Sequence, residues 1–187
     1  LIPETGEELW NLPWETDYYV NATTPIIHDN IIFHTSGYEK GARAIRVVDD
    51  KPEVLWENKL FCAQHSDPIL IDGYLYGYSG QSYRNNGDFK CIEMETGKEM
   101  WNTNEIGQGT TAFADGHLIC LDIKGNLFLV QPNPNKFLKI GEIPNAIESP
   151  RPVPFPSSLV VKKGCIIFPR ICSGIPHPLS LISTKIV

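Results

Sequence analysis

The stretch that decides the fold is Pro68-Ile69-Leu70-Ile71-Asp72-Gly73-Tyr74-Leu75-Tyr76, two apolar runs joined by an Asp-Gly pair. The same pattern occurs at residues 25–33 and 111–119, so that Asp29, Asp72 and Asp115 are spaced by 43 and 43 residues. Asn and Gly accept the positive φ that two-residue hairpin turns require. Each copy therefore predicts a tight β-hairpin, with tips at Asp29-Asn30, Asp72-Gly73 and Asp115-Gly116.

A second repeat runs out of phase with the hairpins. Trp10, Trp56 and Trp101 are spaced by 46 and 45 residues, and the phrase Thr-Gly-x-x-x-Trp occurs at residues 5–10 and 96–101. Each unit thus offers a hairpin, a third strand, a turn and a fourth strand that ends in tryptophan. Units of this length with four strands are typical of propeller blades, which must stack to bury their faces. The fold class predicted is all-β, a partial β-propeller of four-stranded antiparallel blades.

The stretch at residues 91–101, Cys-Ile-Glu-Met-Glu-Thr-Gly-Lys-Glu-Met-Trp, resembles the docking motif of the PQQ-like (quinoprotein-type) β-propeller repeat family. That motif reads Ala-x-Asp-x-x-Thr-Gly-x-x-x-Trp, so Cys91 and Glu93 are departures from it. Residues 44–56 resemble a copy two residues longer, and residues 127–137 resemble one with Phe in the Trp place. The resemblance covers residues 1 to about 148 and is nearest to the bacterial propellers grouped with the outer-membrane assembly factor BamB. It implies a docking role between blades for Trp10, Trp56, Thr96, Gly97, Trp101 and Phe137.

The two ends of the chain do not read as regular propeller blades. Leu1 falls inside a docking motif, and about three blades are recognisable, so residues 1–148 are interpreted as part of a larger propeller. Residues 149–187 hold seven prolines and no Asp, Glu, Trp or Tyr, yet keep a hairpin-like run at residues 159–168. This tail is either a degenerate fourth blade or a non-native terminus. An open arc exposes blade faces, which predicts self-association or pairing with missing blades.

Composition narrows the classes of function. The net charge of −6 argues against nucleic acid, which needs a concentrated basic surface. No apolar stretch approaches the roughly 20 residues of a membrane span, and the opening Leu1-Ile2-Pro3-Glu4 is not a signal peptide. The five cysteines form no C-x-x-C pair, which disfavours zinc. An extracytoplasmic location, periplasmic or in the cell envelope, is implied by the family resemblance alone.

The sequence favours no catalytic or metal site. Some family relatives are quinoprotein dehydrogenases, which use a calcium-bound quinone, a carboxylate base and usually two adjacent cysteines; this chain has no adjacent cysteines. The polar run at residues 85–88 has too few carboxylates for calcium. His65-Ser66-Asp67 cannot readily converge, since consecutive strand residues point to opposite faces. We therefore expect no cofactor, with PQQ and calcium as the alternative.

Aromatic side chains provide the remaining functional signal. Tyr74, Tyr76 and Tyr78 share one strand face, and packing between blades is their favoured role. A possible binding surface is instead predicted on connecting segments, because Tyr and Trp favour interfaces; its residues are Trp14, Tyr18, Tyr38 and Tyr83. The leading interpretation is a non-catalytic binding or scaffold module that presents loops to a protein or ligand. The alternative is a fragment of a PQQ-dependent quinoprotein dehydrogenase.

Overall fold

A computed structural model describes residues 1–80 and 87–147, together with the backbone of two short strands further on. The described elements form three four-stranded antiparallel sheets and one hairpin. The first sheet holds β1 (Ile26–His28), β2 (Ile31–Ser36), β3 (Gly41–Val48) and β4 (Lys51–Asn58). The second holds β5 (Ile69–Ile71), β6 (Tyr74–Ser79), β7 (Asp88–Glu93) and β8 (Glu99–Thr103). The third holds β9 (Gly109–Ala114), β10 (His117–Asp122), β11 (Leu127–Val130) and β12 (Lys139–Ile143), and the hairpin consists of β13 (Val160–Lys162) and β14 (Cys165–Ile167).

The all-β prediction is confirmed. Within the described residues the helical element is one short 3-10 turn at Asp17–Tyr19, and no helix is long and apolar enough to cross a membrane. The three hairpin tips lie where the sequence predicts them, with His28 opposite Ile31 and Ile71 opposite Tyr74. Asp29, Asp72 and Asp115 have φ values of 51°, 49° and 48°, as two-residue turns require.

The register repeats between the first two sheets. Trp56 lies opposite Ala44 and Trp101 lies opposite Cys91, and next to each pair a β-bulge leaves one residue of the fourth strand, Leu55 or Met100, without a partner. Both tryptophans therefore occupy equivalent positions in their sheets. Each lies opposite a small residue, Ala44 or Cys91, which leaves room for the indole ring.

The third sheet corrects one part of the sequence alignment. Leu129 lies opposite Gly141 with the bulge directly after it, so glycine stands in the tryptophan position. Phe137, which the sequence places in the tryptophan position, lies in the connection before β12 and not on the strand. Leu127, at the start of the expected motif, pairs with Ile143. The connection is longer here because its two prolines, at positions 132 and 134, cannot donate ladder hydrogen bonds and so end β11 early.

The first Thr-Gly phrase forms its turn without a strand. Gly6 N donates to Ile2 O and Ile2 N to Glu7 O, which repeats the bonds between Gly97, Glu93 and Lys98 in the second sheet. Residues 1–25 nevertheless contribute no strand to the sheets. The fourth strand expected to end at Trp10 is absent there, because the described residues before it offer no third strand for pairing.

Two apolar layers hold the three sheets together. Phe33 and Ala42 of the first sheet pack with Leu75 and Ile92 of the second. Tyr76, Tyr78, Phe89 and Cys91 of the second sheet pack with Leu118, Cys120, Phe128 and Val130 of the third. Two of the strand tyrosines are thus core residues, with Tyr76 at 1% and Tyr78 at 3% exposure. The proposed division of the chain near residue 148 stays a prediction, since most of residues 149–187 lies outside the described part.

Candidate interaction surface

A segment without strands crosses the outer face of the first sheet. Alternation along β2 points Phe33 and Thr35 toward the second sheet, so His34 and Ser36 point outward. Residues 10–16, called here the strap, run over this outward face. Trp14 Nε1 donates to Ser36 Oγ at 2.9 Å, and the Trp14 ring lies 4.3 Å from the His34 ring at an edge-on angle of 76°.

Arg43 fastens the strap to the sheet. Its guanidinium donates to Pro13 O at 3.2 Å and to Leu12 O at 3.4 Å, and Nε donates to His34 Nε2 at 3.1 Å. Lys40 Nζ and Arg43 Cζ lie 4.3 and 4.8 Å from the centre of the Trp14 ring, which is cation–π distance. Arg43 is only 6% exposed, so its charge is stabilised by the carbonyls of the strap and by Glu57, whose Oε2 lies 3.8 Å from Arg43 Nη1, rather than by water.

The surroundings of His34 keep its ring neutral. Burial lowers the pKa of His34 to about 4, and the charges of Arg43 and Lys40 act in the same direction. Since Arg43 Nε is a donor, His34 Nε2 must accept, which places the ring hydrogen on Nδ1. Burial also lowers the pKa of Arg43, and Glu57 opposes that shift. The contact therefore depends on an uncharged imidazole.

Two tyrosine rings from different segments of the chain pack against each other. The Tyr18 and Tyr38 rings are 5.2 Å apart at 58°, and Tyr18 is 78% exposed. Tyr18 and Tyr19 have φ values of 59° and 56°, and Tyr38 and Glu39 have 54° and 59° at the β2–β3 turn. Such values are uncommon for bulky residues and persist only where the surrounding structure imposes them. We call Tyr18 and Tyr38 the tyrosine pair.

The structure divides the binding residues expected from the sequence. Tyr18 and Tyr38 come together at the surface, whereas Trp14 is half-buried and covers the sheet beneath it. Tyr83 lies outside the described residues. Sequence reasoning missed Arg43, although a charged residue amid the apolar run of β3 was a usable signal.

The docking residues lie where neighbouring sheets meet. Trp56 Nε1 donates to Met94 O at 2.9 Å, and a Cβ added to Gly97 would come within 2.5 Å of the Trp56 ring. Asn58 Nδ2 donates to Gly97 O at 3.2 Å. Thr96 shapes this turn, because its hydroxyl donates to Glu93 Oε2 at 2.5 Å and accepts from Lys98 N at 3.2 Å.

The second junction repeats this arrangement with different residues. Trp101 Nε1 donates to Asn133 O at 2.8 Å, and its ring lies 5.6 Å from Phe137. Phe137 therefore stands on the receiving side of the junction, as Gly97 does at the first one. Trp10 is half-buried in the irregular segment after the first turn. Within the described ranges, no three His, Cys, Asp or Glu side chains gather as a metal site.

Known structures share this architecture. No family model and no curated protein matches the sequence. BamB from Moraxella catarrhalis superposes with a TM-score of 0.56 and 12% identity, over 77% of this chain and 38% of that one. A europium-containing methanol dehydrogenase gives 0.49 and 11% over 63% and 23%, and a quinohemoprotein alcohol dehydrogenase from Pseudomonas putida gives 0.45 and 12% over 63% and 20%.

The fold is that of a partial β-propeller. The resemblance to PQQ-like propellers that the docking motif indicates is confirmed, with BamB among the solved structures that share the architecture. At 12% identity this likeness concerns the fold alone, and the chain spans 38% of the length of that BamB.

Proposed function

We propose that this chain is a non-catalytic binding module, part of a larger PQQ-like propeller, which holds a protein partner through the tyrosine pair. The observation that carries the proposal is the presentation of Tyr18 and Tyr38 together, on backbone held in an uncommon conformation. Residues held in sparsely populated backbone conformations cluster at binding and active sites.

Tyrosine suits such a contact for physical reasons. Its ring offers a large apolar area with few rotatable bonds, and its hydroxyl can pair with polar groups of a partner. Arg43 holds the carbonyls of Leu12 and Pro13, a few residues before Tyr18, so the segment that leads to the pair is ordered before a partner binds. The docked sheets provide the rigid scaffold.

The proposed setting is extracytoplasmic, with the remaining blades of a ring supplied outside residues 1–148. The buried thiols are compatible with oxidising surroundings. Burial raises the pKa of Cys91 and of Cys120 to about 12, which suppresses the reactive thiolate. No cofactor enters the proposal.

Selection from a displayed random-peptide library tests the proposed surface. The full chain should enrich peptides whose affinity falls about 30-fold in the Tyr18→Ala/Tyr38→Ala variant, as for a hot spot of about 2 kcal/mol. Tyr19→Ala is the matched control, since Tyr19 is 94% exposed and shares the same backbone conformation. Enriched peptides that bind the double variant as well as the parent would contradict the proposal.

The quinone-dependent alternative has its own measurement. The chain is incubated with PQQ and calcium, and reduction of an artificial electron acceptor is followed with alcohol substrates. The binding module should give the rate of the protein-free mixture. A saturable rate above that background would favour the oxidoreductase.

A further inference from the structure

The outer face of the third sheet is apolar. Ile119, Leu121 and Leu127 are 4%, 0% and 8% exposed, and they point away from the second sheet. Ala112, Ala114 and Leu129 extend this face along the neighbouring strands, and Ala146 and Ile147 cover part of it. Sheets of this kind bury an apolar face only by packing against another layer.

The junction beyond this face is built differently from the other two. In the first two sheets a tryptophan of the fourth strand donates a hydrogen bond to a carbonyl of the neighbouring unit, Met94 O or Asn133 O. The third sheet has Gly141 in that position and therefore cannot make this contact. Whatever covers Leu121 is therefore held without the indole contact found at the other junctions.

One described segment is placed to cover this face. β13 pairs with β14 in a hairpin, with Val160 opposite Ile167 and Lys162 opposite Cys165. β13 approaches β9, the first strand of the third sheet, and β5 of the second sheet also approaches β9. The first strands of the second and third sheets thus lie side by side, and β13 lies beside β9 as well.

We propose that the outer face of the third sheet is a docking face, and that its occupant is the β13–β14 hairpin of the same chain. The hairpin follows Ile147 along the chain, after an intervening connection that starts where Ala146 and Ile147 already lie on the face. Because Gly141 stands where the other sheets have a tryptophan, the hairpin should separate from the third sheet more easily than the three sheets separate from one another.

Paramagnetic broadening in the full chain tests the placement. A spin label is attached at Lys162→Cys, with Cys62, Cys165 and Cys172 replaced by serine. Amide signals of Gly109–Ala114 should broaden, and those of Ile26–His28 in the first sheet should not. Equal broadening of both strands, or of neither, would overturn the proposal.

Mixing distinguishes this chain's own hairpin from that of a second copy. Spin-labelled protein without isotopes is combined with isotope-labelled protein that carries no spin label. Unbroadened β9 signals in this mixture are expected. Broadening that appears in the mixture as strongly as in the single-species sample would assign the hairpin to a second copy and refute the proposal.

A matched pair of variants tests the face itself by hydrogen exchange. Ala112→Glu places a charge on the outer face of β9, and Phe113→Glu places it on the opposite face, where Phe113 is 44% exposed. Ala112→Glu should lower the protection of β13 and β14 amides at least about tenfold, a loss of 1.4 kcal/mol, and leave β5–β8 unchanged. Equal effects of the two variants would overturn the assignment.

Discussion

At the scale of single residues, the junctions depend on what the tryptophan rings meet. Trp56 lies over Gly97, where a Cβ would approach Cδ2 to 2.5 Å. The turn also needs glycine for its backbone, since Gly97 has φ +71°. The two requirements can be separated, because Gly73 has φ +83° and nothing within 4 Å of an added Cβ.

Gly97→Ala should therefore destabilise the chain more than Gly73→Ala. Both variants bear the strain of positive φ, and only Gly97→Ala pushes against the Trp56 ring, an overpacking effect of about 1–3 kcal/mol. Urea unfolding of the two variants beside the parent measures the difference. If both lose the same free energy of unfolding, Gly97 does not receive the ring.

The ring and the hydrogen bond of Trp101 make separable contributions. Trp101→Ala removes the packing against Phe137 and Tyr76 and should lower the free energy of unfolding by about 3–5 kcal/mol. Trp101→Phe keeps an aromatic ring and leaves Asn133 O without its donor, a loss of about 1 kcal/mol. Thermal melts and urea titrations should rank parent, Phe and Ala in that order. A Trp101→Ala chain as stable as the parent would exclude a docking role.

At the scale of elements, the strap is a layer added by irregular backbone. Trp14 takes part in the same kind of contact that Phe61 makes at the next junction, where Phe61 packs close to Gly77. His34 and Gly77 are 43 residues apart, which is the hairpin period. The strap thus covers the outer side of the first sheet in the same way that the segment around Phe61 covers the second sheet near Gly77.

Stability should depend on pH through His34. Its pKa is lowered from 6.5 to about 4 in the folded chain, so the unfolded chain binds the proton more strongly. The contribution of His34 to stability is therefore full above about pH 6.5, declines as the pH falls toward 4, and levels off below that. His34→Gln keeps an acceptor for Arg43 and should flatten that part of the profile. Melting temperatures measured from pH 4 to 7.5 decide this, and identical profiles for both proteins would rule the role out.

Local chemistry made some elements predictable and others not. The hairpin tips followed from Asp-Gly and Asp-Asn pairs, whose backbone preference needs no distant contact. The register of the third sheet did not, because the connection with its two prolines is longer and brings Gly141 to the tryptophan position. The tyrosine pair was anticipated as surface aromatics, whereas the clamp of Arg43 on Leu12 and Pro13 depends on contacts about 30 residues apart along the chain.

At the scale of the whole molecule, an arc of three sheets has two outward faces. An open arc of this kind is expected to expose both of these faces. The structure instead lays Trp14 on the first sheet, where Ile45 is 4% exposed. The strap therefore acts as a cap of the kind that terminal repeats need.

Removing the cap should increase self-association. Trp14→Ala takes away the indole that bonds Ser36 and stacks with Arg43 and Lys40, so the outer face of the first sheet loses cover and becomes available to another copy. Sedimentation velocity at several concentrations should give a larger weight-average mass for Trp14→Ala than for the parent, with the difference growing as concentration rises. Tyr19→Ala serves as the control, since it removes an exposed ring and no part of the cap. Equal masses for parent and Trp14→Ala at every concentration would mean that the strap does not guard this face, and a higher mass for Tyr19→Ala would assign the association to the surface aromatics instead.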